Sequence, residues 1–217
     1  MRLSEWEPIY QEILSDMGYD RSSDESSAKL LRSLMLNADL ADEDDIRPLI
    51  CREVSVFGGA YTLCDDISKR EPVGTLISAG SATEMVLEMG ITPDIVVTDL
   101  DGDIRSQIDA SAMGAVTLIH AHSDNADLIM RYAKEFEGKV MLTTQSVPDL
   151  VLCNFGGFTD GDRSVCLARE FGAETIYLYG FDFDHPSDKY GSDTVIKARK
   201  LAWAERIIGM RDDIIRI

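Results

Sequence analysis

The spacing of apolar residues divides the chain into two parts. In residues 4–17 apolar side chains recur at steps of three and four, which predicts an amphipathic helix that Gly18 ends. The segment Ser22–Glu25 has the spacing of a capping box, so we expect a second helix from there to about Ala38. We therefore predict an N-terminal helical appendage over residues 1–48, with no catalytic residues of its own.

From about residue 51 the pattern changes to short β-branched runs that alternate with amphipathic segments. The predicted strands are Glu53–Phe57, Thr75–Ala79, Asp94–Thr98, Ala115–His120, Lys139–Thr143, Thr175–Gly180 and Asp212–Ile217. The predicted helices cover residues 60–69, 81–89, 104–113, 125–136, 161–171 and 193–209. This alternation predicts an α/β domain over residues 49–217, with a mostly parallel, Rossmann-like sheet and helices on both faces.

Composition narrows the classes of protein. The chain has 217 residues and 45% hydrophobic content, enough for a proper core. Its formal net charge of -18 argues against nucleic acid as a partner. No apolar run reaches membrane-spanning length and the N-terminus lacks a signal-peptide pattern, so we expect a soluble, cytoplasmic protein without membrane contacts. The acidic run Asp42–Asp45 predicts a solvated turn.

The four cysteines do not have the spacing of a zinc site. Cys51, Cys64, Cys153 and Cys166 form no CxxC pair. We predict that they are buried free thiols.

One acidic stretch stands out at the end of a predicted strand. The apolar run that precedes it leads into Asp99, Asp101 and Asp103, with Gly102 among them. Closely spaced carboxylates suit a hard cation such as Mg²⁺. An acidic turn is the alternative interpretation, and Asp103 is expected to cap the following helix.

Other polar residues also follow predicted strands. Because parallel strands end at one edge of a sheet, where ligands bind, we expect these residues to converge. The Gly58-Gly59 pair suits a phosphate, although it is neither a P-loop nor GxGxxG. His120 and His122 suit a metal, a phosphate or a structural hydrogen bond. Asp124 and Asp162 are alternatively helix caps.

The chemistry that best suits this set is phosphoryl-type transfer from a nucleotide held with Mg²⁺. Gln145 and Asn154 carry amides of the kind that read the edge of a heterocycle. The segment Asp160–Arg163 joins two carboxylates to a guanidinium. No GxSxG elbow or Cys–His signature indicates a nucleophile.

Several motifs in order resemble one family. They are Val96–Gly102, His120–Asn125, Thr143–Gln145, Gly156–Arg163 and Gly180–Phe183, followed by Lys197, Lys200 and Leu201. This set resembles the archaeal 6-hydroxymethyl-7,8-dihydropterin pyrophosphokinase family over about residues 50–210. That family is similar to thiamin pyrophosphokinases, which carry a comparable Asp-x-Asp after a strand.

The resemblance implies Mg²⁺-dependent transfer of diphosphate from ATP to the hydroxymethyl group of a reduced pterin. The products would be AMP and a pterin diphosphate for tetrahydromethanopterin or folate-type cofactor synthesis. By the same resemblance Asp99, Asp101 and Asp124 are metal ligands, whereas Asp160, Asp162 and Arg163 are catalytic candidates that face the substrates. The resemblance and the loop pattern together give this set for nucleotide and substrate binding: Gly58, Gly59, His120, His122, Asn125, Asp127, Thr144, Gln145, Asn154, Asp182 and Lys197.

The chain departs from the family pattern at three places. Ser123 stands where glycine is usual, the loop that starts at Gly58 differs in sequence, and the loop at Ala79–Ala82 lacks an aspartate. The open alternatives are a metal-dependent glycosyltransferase-like protein acting on a nucleotide sugar, a pyrophosphokinase for another acceptor such as thiamin, and a binding module without turnover. A homo-oligomer is also left open.

Overall fold

The structure is a computed structural model that describes residues 1–185 and 194–217. Its helices are α1 (Leu3–Met17), α2 (Arg21–Met35), α3 (Glu43–Ile46), α4 (Leu63–Lys69), α5 (Ala82–Glu88), α6 (Ile104–Ala112), α7 (Ala126–Tyr132), α8 (Asp160–Glu170) and α9 (Thr194–Ile208). Two 3₁₀ turns, Ser123–Asn125 and Ala133–Glu135, flank α7. The strands are β1 (Glu53–Phe57), β2 (Thr75–Ala79), β3 (Ile95–Thr98), β4 (Val116–Ala121), β5 (Val140–Thr144), β6 (Leu152–Cys153), β7 (Thr175–Tyr179) and β8 (Ile214–Arg216).

Within the described ranges the strands form one sheet in the order β6-β5-β4-β3-β2-β1-β7-β8, and each neighbouring pair is parallel. Alternate residues along a strand pack on opposite faces, as the pleat requires. In β4, Leu118 joins the core beneath α8, whereas Ile119 joins the core beneath α2 and α7. Since both faces are covered, the predicted α/β fold with helices on both sides is confirmed.

The direction of the strand order reverses between β1 and β7. Strands β2 to β6 lie in chain order on one side of β1, and β7 and β8 lie on its other side. A Cβ on Gly58 would lie 2.6 Å from the carbonyl oxygen of Gly180, and a Cβ on Gly180 would lie 2.4 Å from the carbonyl oxygen of Gly58. Only glycine at both positions allows this close approach. The crevice of the sheet therefore opens where such folds bind ligands.

The N-terminal helices pack directly on the α/β part. Trp6 of α1 is fully buried, and its Nε1–H donates to the carbonyl oxygen of Gln145 at 2.8 Å. Leu31 of α2 is fully buried in the same cluster as Ile129 of α7. These contacts place both helices beside the carboxyl ends of β4 and β5.

Two local predictions in this part are wrong. The second helix begins at Arg21 with Asp20 as its N-cap, because the Asp20 carboxylate accepts from the Ser22 amide. The acidic run is not a simple turn, because the side chain of Asp42 accepts the amide hydrogens of Asp44 and Asp45 and so starts α3.

The cysteine prediction holds only in part. Cys166 is buried and Cys153 is half-buried, but Cys51 and Cys64 are exposed. Cys51 precedes β1, and Cys64 lies on the outer side of α4. The spacing of apolar residues does not show whether a thiol at these positions is buried or exposed. Among the described residues, no helix combines the length and apolar content needed to cross a bilayer.

Candidate active site

A cavity of about 470 Å³ lies at the carboxyl ends of the strands, at the reversal between β1 and β7. Many of the residues predicted for a site line it. They are Gly58, Gly59, Asp99, Asp101, His122, Asp124, Gln145, Asp160, Arg163, Asp182 and Lys197. The structure therefore brings these loops together, as expected from the parallel sheet.

The acidic loop after β3 is held in an unusual backbone conformation. Leu100 has φ +68° and a fully buried side chain, so burial of the side chain offsets a left-handed backbone that costs roughly 1–2 kcal/mol. The Leu100 amide donates to Oγ1 of Thr98 at 2.8 Å. Nε2 of Gln107 donates to the carbonyl oxygen of Asp101, and Nδ2 of Asn125 donates to that of Asp99, both at 2.8 Å. Buried polar side chains thus fix the two carboxylates.

His122 contacts Asp99 directly. Its Nε2 lies 3.2 Å from Oδ2 of Asp99, while its Nδ1 accepts the amide hydrogen of Asp124 at 3.3 Å. Because Nδ1 acts as an acceptor, the proton of the ring is on Nε2 and is donated to Asp99. Burial favours the neutral form of Asp99, but this hydrogen bond and the charge of Arg163 hold its pKa well below the ordinary value. Asp99 is therefore a carboxylate.

Asp160 begins α8 and contacts Asp99 in the cavity wall. Its Oδ1 accepts from Nη1 of Arg163 at 3.1 Å, and its Oδ2 accepts from the Asp99 amide at 3.4 Å. Burial and the negative charge of Asp99 raise the pKa of the Asp160 carboxyl well above its ordinary value, although Arg163 opposes the rise. A Cβ on Gly80 would lie 2.7 Å from Oδ2 of Asp160, so glycine makes room for this carboxyl group. Asp99 is therefore ionised, whereas Asp160 binds a proton more readily than an ordinary aspartate does.

Three other predicted residues stabilise loops outside the cavity lining. Asp162 is fully buried and accepts the amide hydrogens of Phe158 at 2.6 Å and Thr159 at 2.8 Å, which is the alternative role of a helix cap. Its pKa is raised by burial, and these bonds oppose the rise. The Thr144 hydroxyl accepts the Ser146 amide, and Asn154 donates to the Ser146 carbonyl at 2.6 Å.

Of the remaining predicted residues, three lie outside the cavity lining and one is part of it. His120 is buried behind the cavity, with Nδ1 3.0 Å from Oγ1 of Thr143. Asn125 is buried and tethers two loops through its amide. Asp127 is exposed on α7 and does not line the cavity, whereas Asp182 lines it and pairs with His185 at 3.0 Å.

Some residues of the cavity were not predicted. Tyr19 lines it from the turn between α1 and α2, and Ser81 and Phe181 line it from loops after β2 and β7. Lys200, which the sequence placed only on the last helix, also lines it. Tyr19 follows Gly18, which ends the first helix, and lies far from the motifs, so no pattern indicated this role.

The carboxylates present fit Mg²⁺. Within residues 1–185 and 194–217, no group of three His, Cys, Asp or Glu side chains is gathered closely enough to enclose an ion alone. Mg²⁺ does not require such a cage, because one or two carboxylates, water and substrate phosphates usually complete its shell. Asp99 and Asp101 supply two carboxylates on one short loop in the cavity.

A solved structure supports the fold alone. The chain is similar to a structure described as "Structure of MAf glycosyltransferase from Magnetospirillum magneticum AMB-1", with a TM-score of 0.50 and 18% identity. The match covers 75% of this chain and 30% of that protein.

Curated relatives match over nearly their whole length. A "6-hydroxymethyl-7,8-dihydropterin pyrophosphokinase" of Pyrococcus furiosus is 41% identical over 95% of this chain and 89% of the relative. Relatives with the same name from Methanothermobacter thermautotrophicus and Methanocaldococcus jannaschii are 38% and 33% identical, over 96% and 100% of this chain and 94% and 98% of the relatives. The family described as "6-hydroxymethylpterin diphosphokinase MptE-like" matches residues 60–188. With its sheet, its cavity and these relatives, the chain belongs to the MptE-like 6-hydroxymethylpterin diphosphokinase family.

Proposed function

We propose that this protein transfers diphosphate from ATP to the hydroxymethyl group of 6-hydroxymethyl-7,8-dihydropterin, with Mg²⁺ as the metal and AMP as the second product. One observation carries the proposal. A single cavity of about 470 Å³ contains both the carboxylates Asp99 and Asp101 and the basic side chains Lys197 and Lys200. A phosphate-bearing substrate needs this mixture, since a cation is held by the acids while basic groups face the phosphates.

The reaction forms one P–O bond, breaks another and releases the proton of a hydroxyl group. The hydroxymethyl oxygen of the pterin attacks the β-phosphorus of ATP, and the bond from that phosphorus to the oxygen bridging the α-phosphate breaks. AMP leaves with the bridging oxygen. The hydroxyl proton of the pterin must be taken up, so a base is needed beside the attacking oxygen.

Asp160 is the residue best suited to take up this proton. Its carboxyl group lines the cavity beside the Asp99 loop, and a carboxylate oxygen at this position can accept the proton. Arg163 holds one oxygen of Asp160 at 3.1 Å and leaves the other toward Asp99 and the cavity. Arg163 therefore orients the base.

Asp99 and Asp101 would hold Mg²⁺, with Asp124 at the rim of the cavity. When bound, the metal neutralises negative charge on the phosphates. The hydrogen bond from His122 and the contacts of Gln107 and Asn125 keep this loop in one conformation before the substrate arrives. The protein thus contributes positioning and charge rather than a covalent intermediate. The product would enter tetrahydromethanopterin or folate-type cofactor synthesis, and the proposed location is the cytoplasm.

The test is incubation with ATP, Mg²⁺ and 6-hydroxymethyl-7,8-dihydropterin, followed by separation of nucleotides and pterins. We expect AMP and the pterin diphosphate in equal amounts, and loss of both when EDTA is present. Formation of ADP in place of AMP, or no consumption of ATP, would overturn the proposal. Parallel reactions with thiamin and with a nucleotide sugar test the other acceptor and the other reaction class.

A further inference from the structure

A buried carboxylate of the N-terminal helices contacts the site. Asp24 of α2 is only 1% exposed. Its Oδ2 accepts from the Tyr10 hydroxyl at 2.5 Å and from Nε2 of Gln145 at 2.7 Å, and its Oδ1 accepts from the Ser123 amide at 2.8 Å. A buried carboxylate with three donors is well satisfied and has one preferred orientation.

The bond from Gln145 to Asp24 fixes which way the Gln145 amide points. Because Nε2 is directed to Asp24, Oε1 is directed to the cavity, where it accepts from Nη2 of Arg163 at 3.1 Å. Arg163 in turn donates from Nη1 to Asp160 at 3.1 Å. The donors in the chain Asp24–Gln145–Arg163–Asp160 are therefore fixed: Arg163 donates to Asp160 on one side and to Gln145 on the other, and Gln145 donates to Asp24.

Asp24 also fixes the turn that carries two cavity residues. Ser123, whose amide it binds, lies between His122 and Asp124, and both of these line the cavity. One side chain thus restrains the Arg163 side and the His122 side of the site together. Ser123 and Gln145 meet at this carboxylate, although they lie 99 and 121 positions from Asp24 in the sequence.

We propose that Asp24 is a positioning residue for the diphosphate transfer, which sets the Gln145 amide and thereby the guanidinium of Arg163 that holds Asp160. The inference rests on the proposed function, because it assigns Asp24 to the reaction proposed for this cavity. Asp24 itself does not line the cavity.

Asp24→Asn reverses the hydrogen bond between residue 24 and Gln145. If the Asn oxygen keeps the bond from the Ser123 amide, its NH₂ group faces Gln145, and the Gln145 amide must flip to accept. The Gln145 NH₂ group then faces Nη2 of Arg163, donor against donor. Gln145→Glu alone fails differently, because it places a second carboxylate against Asp24.

The double variant Asp24→Asn/Gln145→Glu restores an acceptor for Arg163 and pairs it with a donor at residue 24. The Asn NH₂ group donates to the new carboxylate and to the Tyr10 oxygen, and the new carboxylate accepts from Arg163. The total charge is unchanged. A role in positioning therefore predicts recovery of activity by the double variant, which a role in packing does not.

The experiment measures kcat, KM for ATP and KM for the pterin, and Tm, in the wild type, both single variants and the double variant. We expect each single variant to lose kcat by about 100-fold, the scale of a misplaced reacting group. The double variant should recover at least about tenfold of this loss, with both KM values changed less than kcat. Tyr10→Phe is the matched control: it removes one bond to Asp24 but leaves the chain to Arg163, so it should lower Tm and keep kcat.

Each outcome decides the proposal. If Asp24→Asn does not fold, the double variant is compared with Gln145→Glu, and recovery of kcat supports the inference. A double variant that does not fold, or is no faster than Gln145→Glu, overturns it, as does a loss of kcat in Tyr10→Phe equal to that in Asp24→Asn. Failure of the proposed function is distinguishable, because then the wild type itself would make no pterin diphosphate.

Discussion

The imidazole of His122 directs Nε2–H at Oδ2 of Asp99, 3.2 Å away, while its Nδ1 accepts the Asp124 amide. The ring is held from both sides, so it can orient only one oxygen of the carboxylate. Groups that hydrogen-bond to metal ligands typically change metal affinity by about 10- to 100-fold when removed. With Mg²⁺ on Asp99, as proposed, loss of His122 should weaken the binding of Mg²⁺ more than it destabilises the fold.

For His122→Leu we expect the Mg²⁺ concentration for half-maximal turnover to rise by about 10- to 100-fold. His122→Gln keeps an N–H donor, so in this variant the Mg²⁺ concentration for half-maximal turnover should rise less. A titration of activity with Mg²⁺ measures both. Equal values for the two variants would show that the donated hydrogen bond does not orient Asp99.

Asp101→Asn should lower kcat/KM by about 100-fold or more, the scale of a lost electrostatic contact in an active site. The Asn oxygen can still accept the Gly102 amide, as Oδ1 of Asp101 does at 2.6 Å, so the loop should keep its shape. Removal of one negative charge beside Asp99 should leave Tm unchanged or higher. The control is Asp109→Asn on α6, an exposed carboxylate paired with Arg105, which should keep full activity. Retained activity in Asp101→Asn would contradict the metal assignment.

Gly80→Ala should lower both stability and activity. Gly80 has φ +47°, so alanine costs roughly 1–2 kcal/mol in the backbone, and its Cβ would displace the Asp160 carboxyl group. Gly90→Ala is the matched control, because Gly90 has φ +77° but no atom within 4 Å of an added Cβ. Denaturant unfolding should show a loss of stability in both variants, at least as large in Gly80→Ala, whereas only Gly80→Ala should lose kcat. Equal kcat in the two variants would exclude an effect through Asp160.

Stability should fall with decreasing pH because of His120. Burial and the charge of Arg163 hold the pKa of His120 well below 6.5 in the folded protein. Below about pH 6.5 the unfolded chain binds a proton here that the folded chain does not. His120 therefore lowers the free energy of unfolding by up to about 1.4 kcal/mol per pH unit as the pH falls from about 6.5 toward its folded pKa.

Denaturant unfolding at pH values from about 7 to about 5 measures this slope. His120→Gln should reduce the slope, since no imidazole then titrates at this position. Other groups contribute to both proteins and cancel in the comparison. Identical slopes would show that His120 is protonated in the folded state as readily as in the unfolded chain.

Much of this architecture was accessible from the sequence. β-branched runs fix the strands because their alternating side chains must be buried on both faces, and the polar residues after those runs converge because parallel strands end together. The order of the strands was not accessible, since the same pattern fits several orders. The two-residue strand β6 is too short to have a period.

Asp24 is an acidic residue on a mostly apolar face of a helix. Asp24 stands at helical spacing from Ala28, Leu31 and Met35, all buried on one face of α2. A carboxylate in an apolar stripe must have partners elsewhere in the fold, because an unpaired buried charge is costly. The sequence gives only this spacing, and the packing of α2 on the ends of β4 and β5 shows that Asp24 is buried and which residues are its partners.

The reversal of strand order has a consequence for how the protein folds. Strands β1 to β6 pair with neighbours that follow closely in the chain, whereas β7 must find β1 from far along the sequence; the hydroxyl of Tyr177 donates to Glu53 across 124 positions. Closing so long a loop is slow. We therefore expect β1 to β6 to assemble first and the crevice at Gly58 and Gly180 to be completed last, so that recovery of ligand binding lags behind recovery of secondary structure after dilution from denaturant.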